Sequence, residues 1–351
     1  MDNQQAVGDV RTDGGRIDGA SGPPRISGVL VTYRRPEDLR RSLERLAEQE
    51  RPLDLLILVD NAPTPESEAS VAWYRSQGLA LDYLPQEANI GNAGAYTMGI
   101  DRILEGADDD DWIVLLDDDD PPGDHGEPEP TRVFLRLEAF AATMRALDPR
   151  LAAVGFGGTR FDWERGRSVR VPDDDLAGPV KVDYIGNNHF PFYLVAAVRE
   201  VGTWDRSIFF GFGELEYGLR FRAAGWSLYA DGTTWRRRRA TLGRLGHHSR
   251  PPLDLNALTW RRYYTMRNLV YILRRHGRSR TALRVALARG LVKPLVNLPR
   301  HPAGALDHLR LNWMACRDGW TATMGRRGDP AATPTAAQLK PCRGDSSTRG
   351  G

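Results

Sequence analysis

The sequence predicts an α/β domain on a mostly parallel sheet, followed by a basic helical extension. Three observations carry this. From Ile26 to Asp117, short apolar β-branched runs alternate with helical stretches, the pattern of a parallel sheet covered on both faces. The last of those runs ends in four consecutive aspartates, Asp117 to Asp120. Charge is also divided along the chain. Residues 231–351 carry 24 Lys and Arg against 6 Asp and Glu, so residues 1–230 hold −16 of a whole-chain +2. That split suits an acidic cation-binding part and a basic part facing anions, or simply a solvated basic helix surface.

The elements follow in order. Residues 1–24 are polar and Gly-rich with Pro23 and Pro24, an expected disordered tail. ISGVLVTY (Ile26 to Tyr33) is a buried strand. Pro36 opens a helix with Leu39, Leu43 and Leu46 on one face. LDLLILVD (Leu53 to Asp60) is the second strand, ending in the turn residues Asn61, Pro63 and Pro65. Ser67 to Gln77 is helical and LALDYLP the third strand. NIGNAG leads into a helix from Ala95 to about Leu104, and DWIVLLDDDD is a fourth strand running into an acidic turn. Val133 to Leu147 is an amphipathic helix, AAVGFGG a strand, and a looped stretch reaches about Asp183. Glu214 to Ala224 is a helix stopped by Gly225, and SLYADG a short strand. From Asn256 the pattern is helical and basic, and residues 329–351 are a second polar tail.

Two cysteines, Cys316 and Cys342, build neither a disulfide framework nor a zinc pattern, which points to a reducing, cytoplasmic compartment. No stretch has the roughly 18 apolar residues that span a bilayer. The start, MDNQQAVGDVRTDGG, lacks the basic and apolar regions of a signal peptide.

The acidic turn is the strongest chemical signal. Between Glu105 and Glu129 stand twelve acidic residues and no Lys or Arg. Carboxylates crowded at the end of a buried strand repel one another unless a cation neutralises them. Hard oxygen donors suit Mg or Mn, held by one or two carboxylates plus substrate phosphates. Asp117 and Asp119, on alternate positions, are the candidate metal ligands; Asp108 to Asp111 read better as a solvated loop.

Other candidates lie at strand ends, where ligands of such sheets bind. Asp60 can accept a hydrogen bond from a base or ribose, or serve as an N-cap. Thr32, Tyr33 and Arg34 end the first strand; Tyr33 can stack on a base and Arg34 can meet a phosphate, although Arg34 and Arg35 equally suit solvent. In NIGNAGA, Gly91 and Gly94 permit a close approach before a helix N-terminus, or form a plain tight turn. Glu214 follows a Gly-rich turn and has Gly218 at i+4, so it lacks an intrahelical partner and is the candidate base. Glu216 and Arg220, at i and i+4, fit an ion pair.

Taken together, GVLVTYRRPEDLRRSLERL, LILVDNA, NIGNAGAYTMGI, WIVLLDDDDPP, FFGFGELEYGLRFRAAGW and YYTMRN resemble the inverting glycosyltransferases of family 2, in the branch of bacterial galactofuranosyl- and rhamnosyltransferases. The motifs stand in family order over about residues 26–275. The resemblance implies a GT-A-like nucleotide-diphosphate-sugar-binding sandwich over residues 25–230, and an acceptor- or membrane-facing extension over 231–328. It implies that Asp60 contacts the nucleobase and Asn89 the donor. Asp117 and Asp119 would match the DxD-type motif that holds Mn or Mg and the donor diphosphate, with Asp118 on the donor side. Glu214 would match the catalytic base, and Glu216 and Arg220 the acceptor side. Its partners would be a nucleotide-diphosphate sugar and a glycan or lipid-linked acceptor at the inner face of an anionic membrane, with no nucleic acid. There are departures. Trp235-Arg236 replaces a Trp-His whose His can ligate the metal, for which His247 or His248 would substitute unless that pair is simply solvated. Gly213 stands where many relatives have an acid, and Ala62-Pro63 replaces Gly-Ser.

Two other functions compete. A sugar nucleotidyltransferase would need a Gly-rich basic phosphate loop near the first strand, and VTYRRPED offers little of that. A non-catalytic nucleotide-sugar or membrane-surface binding protein would not need Glu214.

Overall fold

The computed structural model describes residues 23–124, 127, 129–246, 260–292, 295–296 and 305–327. The expected tails, save Pro23 and Pro24, lie outside these residues, as do His247, His248 and Cys342.

Strand β1 (Ile26–Thr32) is buried along its whole length because it is paired on both sides. β2 (Leu55–Asp60) and β4 (Trp112–Asp117) flank it in parallel, and β3 (Leu81–Pro85) extends the sheet beyond β2. The register sets Thr32 opposite Asp60, and Val31 opposite Asp117. Three carboxyl ends therefore finish at one level, and the polar residues that close them share one edge.

The helices between these strands form as their apolar spacing requires. α1 (Pro36–Ala47) starts on a proline, whose fixed φ suits a first turn, and buries Leu39, Leu43 and Leu46. Each such leucine contributes about 1.5–3 kcal/mol by leaving water. α2 (Pro65–Ser76) opens with a capping box between Thr64 and Ser67. α3 (Gly91–Leu104) begins four residues earlier than the sequence analysis expects, so the NAG segment is its first turn. It lies close on β1 because Gly99 has no Cβ; one there would stand 2.3 Å from Val29 Cγ1.

Beyond α4 (Val133–Leu147) and β5 (Leu151–Gly155), the stretch expected to be loop contains a β6 (Arg160–Asp162) and β7 (Arg167–Val169) hairpin and then β8 (Pro179–Val182). β9 (Phe192–Leu194) follows, then α5 (Val195–Val201), α6 (Gly213–Ala223), β10 (Ser227–Asp231) and α7 (Gly232–Thr241). The main sheet has eight strands in the order β3-β2-β1-β4-β9-β5-β10-β8. β9 is antiparallel to both β4 and β5, and β8 is antiparallel to β10; the remaining pairs are parallel. The mostly parallel α/β architecture expected from sequence is thus present.

The extension comprises α8 (Trp260–Arg275), α9 (Ser279–Val285), a π-helical continuation (Ala286–Val292) and α10 (Ala305–Trp320). Trp235 of α7 belongs to the core of the sheet. A second core joins α8, α9 and α10 to Phe209, Leu215 and Leu219, so the extension packs on α6 and the loop before it.

Candidate active site

The acidic turn is built from the end of β4. Tyr96 of α3, fully buried, donates its hydroxyl to Leu116 O at 2.8 Å and to Asp117 Oδ1 at 2.7 Å. Asn187, buried in a short 3-10 helix, donates Nδ2 to the same Oδ1 at 3.4 Å, leaving Asp117 Oδ2 outside these bonds. Asn187 Oδ1 has no hydrogen-bond partner among the described residues. Asp118 accepts from Thr32 Oγ1 at 2.8 Å and from Arg35 Nη1 at 3.3 Å. Asp119 is half-exposed and ion-paired to Arg35. Arg238, buried on α7, pairs with Glu127 at 3.1 Å and lies close enough to draw down the Asp120 carboxyl.

The electrostatics of this turn are unbalanced. Burial pushes Asp117 up to about 6, aided by the charges of Glu214 and Asp119. Burial likewise holds Asp118 up to about 6 despite Thr32 and Arg35. Asp120 is pushed up to about 7 by burial and by the charges of Asp117, Glu127 and Asp119, against the pull of Arg238. Carboxyls this far above their ordinary range mark a place where burial penalises negative charge more than the neighbouring donors and guanidinium groups offset it.

The resemblance implies a divalent metal here, and the donor set fits one in chemistry: hard carboxylate oxygens gathered at one strand end. No pre-assembled group of three His, Cys, Asp or Glu ligands exists among the described residues. Asp117 and Asp119 would hold the ion, Asp117 through the Oδ2 left outside its bonds to Tyr96 and Asn187. His247 lies outside the described residues.

Glu214 sits in the first turn of α6, directly after Phe212 and Gly213. It lines a small pocket with Asn92, Ala93, Trp204, Ile208, Phe210 and Gly211. Burial raises its carboxyl above the ordinary value, and its charge reaches Asp117. The candidate base and the first candidate metal ligand, 97 positions apart in sequence, thus share one field.

The NIGNAG segment forms the facing wall. Asn89 Oδ1 accepts from Gly91 N at 2.8 Å, and Asn61 Oδ1 accepts from Ile90 N at 3.0 Å. Gly91 has φ +79°, and a Cβ there would meet Phe209 O at 2.4 Å, so both conformation and space demand glycine. Ala93 N donates to Phe209 O at 3.2 Å, which engages one amide of the helix start. A Cβ at Gly94 would have Ile90 of its own turn as its nearest neighbour.

The remaining candidates divide. Asp60 is 1% exposed, and its oxygens accept from Ala62 N at 2.9 Å and Tyr83 OH at 3.1 Å. Each oxygen keeps a further lone pair, so burial rather than hydrogen-bond saturation is what a base or ribose contact must overcome. Arg34 is exposed at φ +56° with its guanidinium 5.3 Å over the Tyr33 ring, whereas Arg35 reaches the acidic turn. Glu216 is wholly buried and pairs with Arg220 at 2.7 Å and Arg275 at 3.3 Å. Arg220 also donates to Val201 O and Thr203 O. The structure therefore gives these two residues interior partners rather than an open acceptor face. Tyr96, Asn187 and Arg238 escaped the sequence analysis, since only folding brings them to the aspartates. An in-sequence hint existed for Tyr96 alone, inside NAGAY.

Comparison with known proteins places part of the chain beside glycosyltransferases. Residues 27–125 match the glycosyl transferase family 2. A galactofuranosyltransferase GlfT1 of Mycobacterium tuberculosis (strain ATCC 25618 / H37Rv) is 37% identical over 84 residues, 24% of this chain and 27% of that protein. GlfT1 of Mycolicibacterium smegmatis is 38% identical over 84 residues, with the same shares. The matched stretch thus spans about a quarter of these relatives. Among solved structures, a mannosyltransferase from Pyrobaculum calidifontis in complex with GDP-Man and Mn2+ is 14% identical, with a TM-score of 0.47 over 85% of this chain and 87% of that one. TarS 1–349 from S. aureus in complex with UDP-GlcNAc is 12% identical, with a TM-score of 0.49 over 84% and 81%. At these TM-scores the structural likenesses carry no weight of their own. The stretch that matches the glycosyl transferase family 2 model holds the ends of β1, β2 and β4, the start of α3 and the four aspartates.

Proposed function

We propose that the chain is a metal-dependent, inverting glycosyltransferase. It moves galactofuranose or rhamnose from a nucleotide-diphosphate sugar to an acceptor hydroxyl of a lipid-linked or cell-envelope glycan. The observation that carries this reading is the placement of Glu214 in a pocket beside the under-neutralised turn Asp117–Asp120. Asp117 and Asp119 would hold the Mn or Mg ion, which when bound neutralises the leaving diphosphate. Thr32 and Arg35 orient Asp118 on the donor side. Glu214, raised by burial, is suited to take the acceptor proton as the glycosidic bond forms. One base facing the anomeric carbon opposite the leaving group gives inversion. The GlfT1 relatives support galactofuranose as the first sugar to try.

The test is a panel of UDP-, GDP- and dTDP-sugars with Mn or Mg, scored for thermal stabilisation and for product. A stabilising nucleotide sugar with a glycosylated product of inverted configuration supports the reading. A product retaining the anomeric configuration removes the inverting mechanism. Formation of a nucleoside triphosphate and a sugar 1-phosphate when pyrophosphate is added to the nucleotide sugar favours a nucleotidyltransferase, and binding with no product favours a non-catalytic carrier.

A membrane partner has its own support. Leu283, Leu287 and Leu291 repeat every four residues along α9 and its continuation, and all are exposed, as is Val292. Arg280 and Arg284 are exposed on the same segment. No helix among the described residues is long and apolar enough to cross a membrane. An apolar ridge flanked by arginines suits the surface of an anionic bilayer, each basic residue contributing about 1 kcal/mol. Co-sedimentation with phosphatidylglycerol vesicles but not phosphatidylcholine vesicles is expected, and equal binding to both would remove the claim.

A further inference from the structure

The short turn before Glu214 has an unusual backbone. Phe209 adopts φ +63° and ψ −60°, with Phe210 N donating to Ile208 O at 2.8 Å. That is a γ-turn of the rarer, strained form. Gly211 and Phe212 follow at φ +74° and +64°. Two aromatic residues at positive φ persist only where surrounding contacts over-determine them.

The contacts come from α8. Asn268, wholly buried, donates Nδ2 to Phe210 O at 2.7 Å and to Gly211 O at 2.8 Å, with Ile208 O at 3.3 Å. Arg267, also wholly buried, donates Nη2 to Ile208 O at 2.8 Å and Nη1 to Gly325 O at 2.6 Å. Its guanidinium lies 4.7 Å over the Tyr264 ring, and its Nε donates to Asn268 Oδ1 at 2.9 Å. One and two turns further on, Tyr271 and Arg275 bond Asp205 Oδ2 at 2.9 and 2.7 Å. Spacing of three to four residues puts all of these on one helix face. That face grips a single segment, Asp205 to Gly211. Ile208, Phe210 and Gly211 of that segment line the same pocket as Glu214, and Phe209 O bonds the opposite wall at Ala93.

We propose that Asn268 and Arg267 are positioning residues for the transfer reaction: they hold the strained Ile208–Gly211 turn so that α6 starts with Glu214 facing the pocket. This rests on the reading of Glu214 as the base. Neither side chain touches the pocket itself; both act through backbone carbonyls. Asn268 supplies two N–H groups from one planar amide to adjacent carbonyls, which a hydroxyl or carboxylate does not reproduce.

The test uses the full chain with Asn268→Asp, Asn268→Ser, Arg267→Lys and Glu214→Gln. The probes are UDP-galactofuranose as donor, an octyl galactofuranoside as acceptor, and Mn. The Asn268 variants should lose about 10- to 100-fold in kcat, the scale of a small misplacement of a reacting group. Donor KM should stay within about two-fold, since the lost interaction is not a binding one. Hydrogen exchange needs no substrate: peptides covering 205–216 should exchange faster in Asn268→Ser while those covering 26–60 do not change. Wild-type kcat with unchanged exchange at 205–216 overturns the proposal. A uniform rise in exchange also overturns it, because that is a general structural role. The two readings separate cleanly. Full transfer by Glu214→Gln sinks the base assignment, whereas a collapsed Glu214→Gln beside fully active Asn268 variants sinks the clamp alone.

Discussion

Two regions of this molecule treat buried carboxylates oppositely. In the turn after β4, Asp117 and Asp118 are pushed up to about 6 and Asp120 to about 7. In the extension and the seam where it meets the sheet domain, acids are matched. Asp318, with its side chain 1% exposed, meets Arg317 at 2.9 Å, Tyr263 OH at 2.6 Å and the guanidinium of Arg327. Burial there also raises Asp205, yet bonds from Ser207 and Tyr271 and the charge of Arg275 leave it below the ordinary value. Burial alone therefore does not decide the state of a carboxylate; the supply of cations and donors does. The acids of the seam are met by cations and donors of the chain itself, whereas burial of the turn's acids outweighs the donors and guanidinium groups around them. A divalent metal is the outside component proposed above to offset it.

Removing that outside component should have the largest effect. Chelation with EDTA is expected to abolish transfer, and Mn or Mg to restore it. Asp117→Asn should also lose the thermal stabilisation that Mn gives with the nucleotide diphosphate. Full turnover in EDTA, or an unaltered Mn response in Asp117→Asn, would break the contrast at its acidic end.

The contrast between two glutamates on α6 comes next. Glu214→Gln keeps shape and removes basicity, so transfer should fall roughly 10²- to 10⁴-fold with fold and donor affinity intact. Glu216→Gln should instead lower stability, because Arg220 and Arg275 each lose a buried opposite charge, while activity per folded molecule stays near wild type. The reverse outcome moves the base to Glu216.

In the extension, Asp318→Asn strands Arg327, which is 8% exposed. Breaking such a buried pair typically costs about 3–5 kcal/mol, to be read from denaturant unfolding monitored by the tryptophans. A change under about 1 kcal/mol would put this pair in the range of a surface bridge.

The smallest effect concerns pH. Because Asp205 is depressed in the folded chain, it binds fewer protons than when unfolded in the window below its ordinary value. Its stabilisation is present above that value and is lost as pH falls through the depressed one. Asp205→Asn should therefore flatten the acid-unfolding curve only at the acidic end, and an identical curve would show that the seam does not hold this group.

Much of this arrangement was legible from residue order. The parallel strands β1 to β4 follow from apolar β-branched runs separated by amphipathic helices, since each such segment buries its face whatever follows. The ion pair of Glu216 with Arg220 follows from i, i+4 spacing, and the place of Asp117 at the carboxyl end of β4 from an apolar run closing in four acids. Less visible were β6 to β9. These strands are three or four residues long, too short for an alternation to stand out. β9 is placed between β4 and β5 by pairing with both, which no local pattern encodes. The early start of α3 also escaped, because glycine disfavours a helix in isolation. Here Gly91 is required by the nearness of Phe209, more than a hundred residues away.

The sequence by itself determined the α/β class, the acidic turn at the end of β4 and the glutamate opening α6, because periodicity, charge runs and Gly-rich turns act over a few residues. Only the tertiary structure decided which of those acids are matched and which are not. It set Arg35 rather than Arg34 against the aspartates, brought Tyr96 and Asn187 onto Asp117, enclosed Asp60, and folded Arg267 and Asn268 of α8 back onto the turn before Glu214. Charge balance at a buried site is a sum over neighbours in space, and neighbours in space are fixed only when the whole core has packed.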